Sequence, residues 1–366
     1  MDAAPGLIES VWCRRFRTIV PIRCSWNAES APTVLGESLR WCSAVGVCCD
    51  VRVPKSDGSQ NDTASTQLPG TPVPAGGSDT EPNTRDVDVL REVAERVATR
   101  AAEHVRLRRP QVFGGGSSVD DDAVQSKSTP TDPVTVVDTE TERVLREMLA
   151  QLRPADSILG EEEGSEDESL DGVRWVLDPI DGTVNFMYGI PAYAVSVAVQ
   201  IDGVSVAGAV VDVARDLVYS AAKGRGATVR GADGTEEQLR CSDVTELSMT
   251  LLATGFGYGS GRRAVQGAII SELLPQVRDI RRIGSAALDL CMVASGAVDA
   301  HFEHGLSPWD WAAGALIATE AGAVVRLPAA NSTSAHGSAT VAMAPGISNA
   351  FLAALRSAGA LDPIPG

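Results

Sequence analysis

Two carboxylates set three residues apart are the feature of this chain best suited to chemistry. Asp178 and Asp181 lie in the stretch RWVLDPIDGTVNF, residues 174–186. Trp175 to Leu177 is apolar and strand-compatible, and Pro179, with no N–H for a sheet ladder, is expected to stop the strand. Asp178 then falls at the carboxyl end of a strand, where open α/β sheets place their sites. Gly182 and Thr183 follow in the turn, with backbone N–H groups able to face an anion. Acids and amides in this order can hold a hard cation and a phosphate side by side. Taken alone, the stretch is equally well an Asp-Pro/Asp-Gly turn of solvated residues.

Other acids offer the pair partners. Glu161 sits in the acidic turn ILGEEEG, residues 158–164, and Asp310 stands at a helix start, where an ordinary N-cap is the plain alternative. Glu303 ends a strand and Lys127 sits on a loop, both open to a reading as solvated surface residues. The four histidines, His104, His301, His304 and His336, show no ligand spacing. No cysteine or histidine stands where a nucleophile is expected.

The elements that must position these residues are legible in outline. Val87, Leu90, Val93, Ala94, Val97, Ala98 and Ala101 recur at helical spacing, which predicts a first helix from about Asp86 to Arg108. Val134 to Val137 leads into a second helix, with Thr139 or Asp138 as its cap. Tyr193 to Ile201 alternates as a half-buried strand, and Asp202-Gly203 turns it into Val204 to Val213. Leu217 to Ala222 extends this antiparallel meander. Leu247 to Thr254 reads as another strand and Val265 to Val277 as a helix. A small-residue helix over residues 283–294, a helix from Trp311 to Glu320 ended by Gly322, a strand at 341–344 and a helix at 351–355 complete the chain. Helices and strands interleave around an antiparallel block, so the class is a layered α/β (α+β) sandwich rather than a doubly wound sheet.

Lys and Arg number 31 against 48 Asp and Glu, a net charge of −17. That excludes the clustered basic groove of a nucleic-acid binder and suits an acidic site neutralised by metal ions. No apolar run reaches the length of a membrane span. Seven cysteines with no C-x-x-C pair oppose a disulfide framework or a zinc site and point to a reducing cytoplasm. Residues 1–83 hold five of those cysteines and no sustained period, then turn rich in Ser, Thr, Pro, Gly and Asp. They read as a poorly structured extension and linker before a catalytic domain over residues 84–366.

Taken together, Gly160-Glu161-Glu162, the stretch from Trp175 to Phe186, Trp309 to Gly314, Glu320-Ala321-Gly322, Lys127 to Asp138 and Arg282 to Ala286 resemble the inositol monophosphatase family, its bacterial branch in particular. The resemblance covers roughly residues 86 to 362. It implies an αβαβα layered fold and Mg²⁺-dependent hydrolysis of inositol 1-phosphate by metal-activated water, without a covalent phosphoenzyme. It also implies the ligand set. Glu161, Asp178 and the main-chain oxygen of Ile180 would hold one Mg²⁺. Asp178, Asp181 and Asp310 would hold a second, and a weaker third ion would lie near Glu161. Gly182 and Thr183 would meet the phosphate, and Thr183 with Asp138 would orient the attacking water, with Glu161 also catalytic. Asp181, Glu303 and the turn Gly284-Ser285-Ala286 would face the inositol hydroxyls, with Asp310 also at the substrate. A lithium-sensitive homodimer is implied as well.

Three details depart from the resemblance. Glu163 extends the acid pair, so Glu162 contests the place of Glu161. Trp311 is bulky for its position and either lines the pocket or packs beneath it. Residues 113–123 read as a mobile lid carrying Lys127. Competing substrates are fructose 1,6-bisphosphate, histidinol phosphate and 3′-phosphoadenosine nucleotides; Glu303, seven residues before Asp310, favours inositol. A regulatory role through a macromolecular partner is the alternative of another class. Removal of residues 1–83 is expected to leave activity intact, and a truncated protein that folds by circular dichroism yet is inactive would contradict the domain reading.

Overall fold

The apolar stripe that begins at Val87 forms α1 (Val87–Phe113), capped by Asp86, whose carboxylate accepts the Asp88 N–H at 3.0 Å. The helix runs one turn beyond the expected end at Arg108 and carries Pro110 inside it. The computed structural model describes residues 85–114, 124–127, 132–165 and 169–366, all within the unit Gly77–Gly366. The expected extension over residues 1–83, most of the expected lid, and the acids Asp120 to Asp122 and Glu166 to Glu168 lie outside the described residues.

Strand β1 (Val124–Ser126) pairs antiparallel with β2 (Pro133–Thr135), which runs directly into α2 (Val136–Leu152). Neither Asp138 nor Thr139 caps α2. Thr135 does, accepting the Val137 and Asp138 N–H groups, while Asp138 at the third helical position accepts the Thr135 N–H at 3.0 Å. The helix starts earlier than expected because this reciprocal box satisfies its first donors, outweighing the strand preference of Val136 and Val137.

A seven-stranded sheet follows. Strand β3 (Ser157–Gly160) lies parallel to β4 (Val173–Asp181). From β4 the sheet continues antiparallel through β5 (Ala194–Ile201), β6 (Val204–Asp212), β7 (Leu217–Ala222), β8 (Ala227–Arg230) and β9 (Glu236–Gln238). Helix α3 (Thr183–Tyr188) leaves the end of β4. The expected hairpin is present, with Asp202 and Gly203 at φ 51° and 77°, as a two-residue primed turn requires. Pro179 does not stop β4. The register with β5 shifts between Asp178 and Asp181, and Pro179 sits in that bulge, where the ladder asks for no N–H.

The second sheet has five strands: β10 (Leu251–Thr254), β11 (Asp279–Arg281), β12 (Ala300–His304), β13 (Val324–Arg326) and β14 (Ala339–Met343), in the order β11-β10-β12-β14-β13. The remaining helices are α4 (Ser260–Leu273), α5 (Ala286–Ala294), α6 (Pro308–Glu320) and α7 (Ser348–Ser357). Strand β10 is thus shorter than the sequence suggested, α4 opens earlier, and α6 begins at Pro308 rather than Trp311.

Alternation along β4 sets the layers. Trp175 and Leu177 join α1 and α2 in one core, with Leu90, Val97, Leu145 and Leu149. Val176 faces the other way, into a core with Leu290, Val293, Trp311 and Ile317 of α5 and α6. Beyond those helices the five-stranded sheet packs Leu252, Phe302 and Met343 against Leu273 of α4 and Phe351 and Leu355 of α7. The layers therefore alternate αβαβα, as the resemblance implied. Among the described residues, no helix is long and apolar enough to cross a membrane.

The central helix pair packs closely. A Cβ added at Gly314 of α6 would lie 2.8 Å from the Leu290 Cβ and 3.2 Å from the Ala287 carbonyl oxygen of α5. Gly314→Ala is accordingly expected to destabilise the fold by about 1–3 kcal/mol despite alanine's better helix propensity, read as a lower urea midpoint at unchanged slope.

Candidate active site

Asp178, Asp181 and Asp310 converge from three places in the chain, and one carboxylate oxygen from each lies within 4.8 Å of the others. Each acid has a second oxygen tied to backbone. Asp178 Oδ1 accepts the Ile180 N–H at 3.0 Å. Asp181 Oδ2 accepts the Ser285 hydroxyl at 2.6 Å and the Ala287 N–H at 2.7 Å, which joins the end of β4 to the start of α5. Asp310 Oδ2 accepts the Ser307 N–H at 2.6 Å. Asp310 is thus the third residue of α6 in a capping box with Ser307, not the N-cap that the plain reading allowed. Pinning one oxygen of each carboxylate fixes the other toward the cavity.

Asp138, fully buried, stands beside them. Its Oδ2 accepts from Thr135 and its Oδ1 lies 3.1 Å from the Thr183 hydroxyl, which is also 3.1 Å from the Ile180 carbonyl oxygen. Gly182 precedes α3 at φ 100°, and a Cβ there would meet the Ala192 and Gly284 carbonyls at 3.0 and 3.1 Å, so only glycine suits the turn. The first N–H groups of α3 fall outside its own hydrogen bonding. Asn185 braces this turn, donating to Ala192 and Ile283 carbonyls at 2.8 Å each.

Glu161 and Glu162 take different places around the cavity. Glu161 lines the cavity. Lys127 Nζ holds Glu161 Oε1 at 2.9 Å and Glu162 Oε1 at 2.7 Å, so Glu161 faces the acids without joining their 4.8 Å cluster. A residue outside the sequence expectations shapes this turn. Glu142, fully buried in α2, accepts the Glu162 and Glu163 N–H groups at 2.7 and 3.1 Å and pairs with Arg146 at 2.8 Å. A Cβ at Gly160 would fall 2.0 Å from the Glu142 Oε1, so the glycine before the acid turn makes room for this support.

The cavity is about 270 Å³, of small-molecule size. Its remaining walls include Phe256, Tyr258, Arg282, Glu303 and Trp309. Ser285 caps α5, and Gly284 and Ala286 line the cavity beside it. Phe256 and Tyr258 were not singled out from the sequence. The available signal was the Gly255-Phe256-Gly257 turn at the end of β10, a parallel strand. Trp311 packs beneath, 3% exposed in the central core, and it is Trp309 that reaches the cavity.

Crowded negative charge dominates the electrostatics. Burial, then Glu161, Asp181 and Asp310, push the Asp178 carboxyl well above its ordinary range. Burial and Glu161 do the same to Asp310. Burial lifts Asp138 and Asp181 to about 6 each, against the hydrogen bonds they accept. Burial and Glu161 lift Glu162 to about 7. Burial opposes the Lys127 charge, yet Glu161 and Glu162 outweigh it and raise its pKa above the ordinary lysine value. Hard oxygen donors, each with a free oxygen and none comfortable as an isolated anion, are the donor set a divalent cation such as Mg²⁺ takes.

With this geometry in hand, similarity to known proteins is informative. Residues 86–359 match the model of the Inositol monophosphatase family. The chain is 60% identical over 284 residues to the Mycobacterium leprae protein named inositol-1-monophosphatase, covering 76% of this chain and 97% of that one. It is 58% identical over 281 residues to the Mycobacterium tuberculosis protein named inositol-1-monophosphatase SuhB, covering 75% and 96%. The solved structure of Mycobacterium tuberculosis SuhB superposes with a TM-score of 0.64 at 52% identity, over 76% of this chain and 100% of that one. The fold, the convergent acids and these similarities agree, and the chain belongs to the inositol monophosphatase family of phosphatases.

Proposed function

We propose that the protein hydrolyses inositol 1-phosphate to inositol and phosphate with two to three Mg²⁺ ions and a water nucleophile. The observation that carries this reading is the convergence of Asp178, Asp181 and Asp310, each with one oxygen pinned and one free. Glu161, Asp178 and the Ile180 carbonyl would hold one ion. Asp178, Asp181 and Asp310 would hold a second, with Asp178 shared, and a weaker third would lie near Glu161. When bound, the ions supply an acidified water and neutralise charge on the departing alkoxide.

The chain's own residues do the rest. The N–H groups of Gly182 and Thr183 take the phosphate oxygens at the start of α3. Thr183 Oγ1, placed between Asp138 Oδ1 and the Ile180 oxygen, orients the attacking water together with Asp138. Glu303, Asp181 and the Gly284-Ser285-Ala286 turn face the polyol hydroxyls, next to Arg282. The mycobacterial relatives, named inositol-1-monophosphatases, support inositol 1-phosphate as the substrate. The reading also takes the protein to be a lithium-sensitive, cytoplasmic homodimer; among the described residues the two cysteines, Cys241 and Cys291, are free thiols.

A phosphate-release panel over inositol, sugar and nucleotide phosphates, with and without Mg²⁺, is expected to give Mg²⁺-dependent turnover fastest on inositol 1-phosphate. Asp178→Asn should lower it by on the order of 10³-fold. Release from none of the panel would sink the reading.

The raised carboxyls fix the sign of a pH effect. Asp138 and Asp181 ionise near 6 in the fold against an ordinary 3.8, so the fold holds more protons than the unfolded chain between these values. The stability they contribute is complete below about pH 4 and is lost as pH rises through about 6. The melting temperature of metal-free protein is therefore expected to fall from pH 5 to pH 7.5, and saturating Mg²⁺ to remove that fall. An equal fall with Mg²⁺ present would mean that the cation does not replace the protons.

A further inference from the structure

A second group of ionisable residues stands apart from the three converging aspartates. Single ligand atoms of Asp289, His301 and Glu303 lie within 4.8 Å of one another. His301 and Glu303 are two residues apart on β12 and so point to the same face, where α5 brings Asp289. His301 is 0% exposed, and its cross-strand neighbours are Ala253 and Ala342, small enough to admit an imidazole. Its Nδ1 is 3.5 Å from Asp289 Oδ2, at the outer limit of a hydrogen bond. Neither ring nitrogen nor Asp289 Oδ1 has a hydrogen-bond partner. A buried imidazole left in this condition calls for an explanation.

Glu303 supplies it. Its carboxylate lies in the cavity wall, pressed on Gly255 so closely that a Cβ there would fall 2.1 Å from both carboxylate oxygens. The charged groups acting on it are His301 and Arg282, which favour its ionised form, and Asp289 and Asp181, which oppose it. An imidazole set between two acids can turn an N–H toward either of them. Asp, His and Glu could also hold a transition metal, but Arg282 already acts on both acids as a cation.

We propose that His301, seated on Asp289, is a positioning residue that fixes the direction of the Glu303 carboxylate and thereby selects leaving alcohols that carry hydroxyl groups. This rests on the phosphatase reading above. A buried carboxylate held ready for substrate hydroxyls is left unpaired by an alcohol that lacks them, and that penalty is what discriminates. Asp289 contributes by keeping the imidazole oriented, and Gly255 by leaving space for the carboxylate.

The test is steady-state kinetics of the full chain with Mg²⁺ on inositol 1-phosphate and on phenyl phosphate, whose leaving group has no further hydroxyl. His301→Phe is expected to raise KM for inositol 1-phosphate about tenfold, with kcat changed less than about twofold and phenyl phosphate kinetics unchanged. His301→Gln, which keeps a donor, should recover part of the lost affinity, and it carries the test if the Phe variant fails to fold. Equal losses on both substrates, an unchanged KM, or a Gln variant no better than Phe would overturn the inference. So would Zn²⁺ or Mn²⁺ retained by wild type after dialysis and lost in His301→Phe, since the group would then be a metal site. Wild-type inactivity on both substrates would instead sink the phosphatase reading. Wild-type activity on both, with no His301-dependent discrimination, sinks this inference alone.

Discussion

Mutual repulsion among buried carboxylates is the constraint on which the rest of this structure depends. Asp178, Asp181, Asp310 and Asp138 are brought into one cavity with Glu161 at its rim, and burial alone opposes the charge of every one of the four aspartates. A chain left to local preferences would spread such residues over its surface. Here each is held by a donor that the fold cannot remove cheaply: the Ile180 amide, the Ala287 amide, the Ser307 amide and the Thr135 amide. Backbone amides are suited to this because they hold a carboxylate in place without adding a full positive charge that would compete with a bound cation.

The layered architecture follows from that need. The acids arise at the end of β4, the start of α6 and the start of α2, and Asp181 is tied to the start of α5. Strand ends and helix starts are where unpaired N–H groups are available. Stacking two sheets around the α5 and α6 pair brings these termini to one place, while Trp175, Leu290, Ile317 and Phe351 fill the layers behind them. The close contact at Gly314 sets how near α6, and with it Asp310, can come to the first turns of α5. Packing energy in the core is in this way coupled to the geometry of the acids.

Supports beneath the cavity share a design. Glu142 holds the Glu161 turn from inside α2, in the space left by Gly160. His301 and Asp289 lie beside Glu303, whose carboxylate fits against Gly255. In both cases a buried ionisable side chain supports an acid that faces the cavity, and a glycine makes room for the contact. The two ends of the cavity can then be tuned separately.

What the sequence alone determined was local. The pattern DPIDGT places two acids and a glycine turn within six residues, so its chemistry could be read from spacing. The amphipathic face of α1, the Asp202-Gly203 hairpin and the interleaving of helices with an antiparallel block were legible for the same reason, since period and turn chemistry are short-range. Asp138, Glu161, Asp310 and Glu303 became interpretable only through resemblance to a family, because nothing local separates a cavity acid from a cap or a solvated loop residue. Only the tertiary structure decided the remainder. Pro179 stays within β4 because β4 bulges there against β5, and Glu161 rather than Glu162 faces the cavity because Glu142 fixes the turn. His301 meets Asp289 from twelve residues away because β12 and α5 pack together. Contacts between elements carry no periodic signature along the chain, and they are what turned a set of dispersed acids into a site.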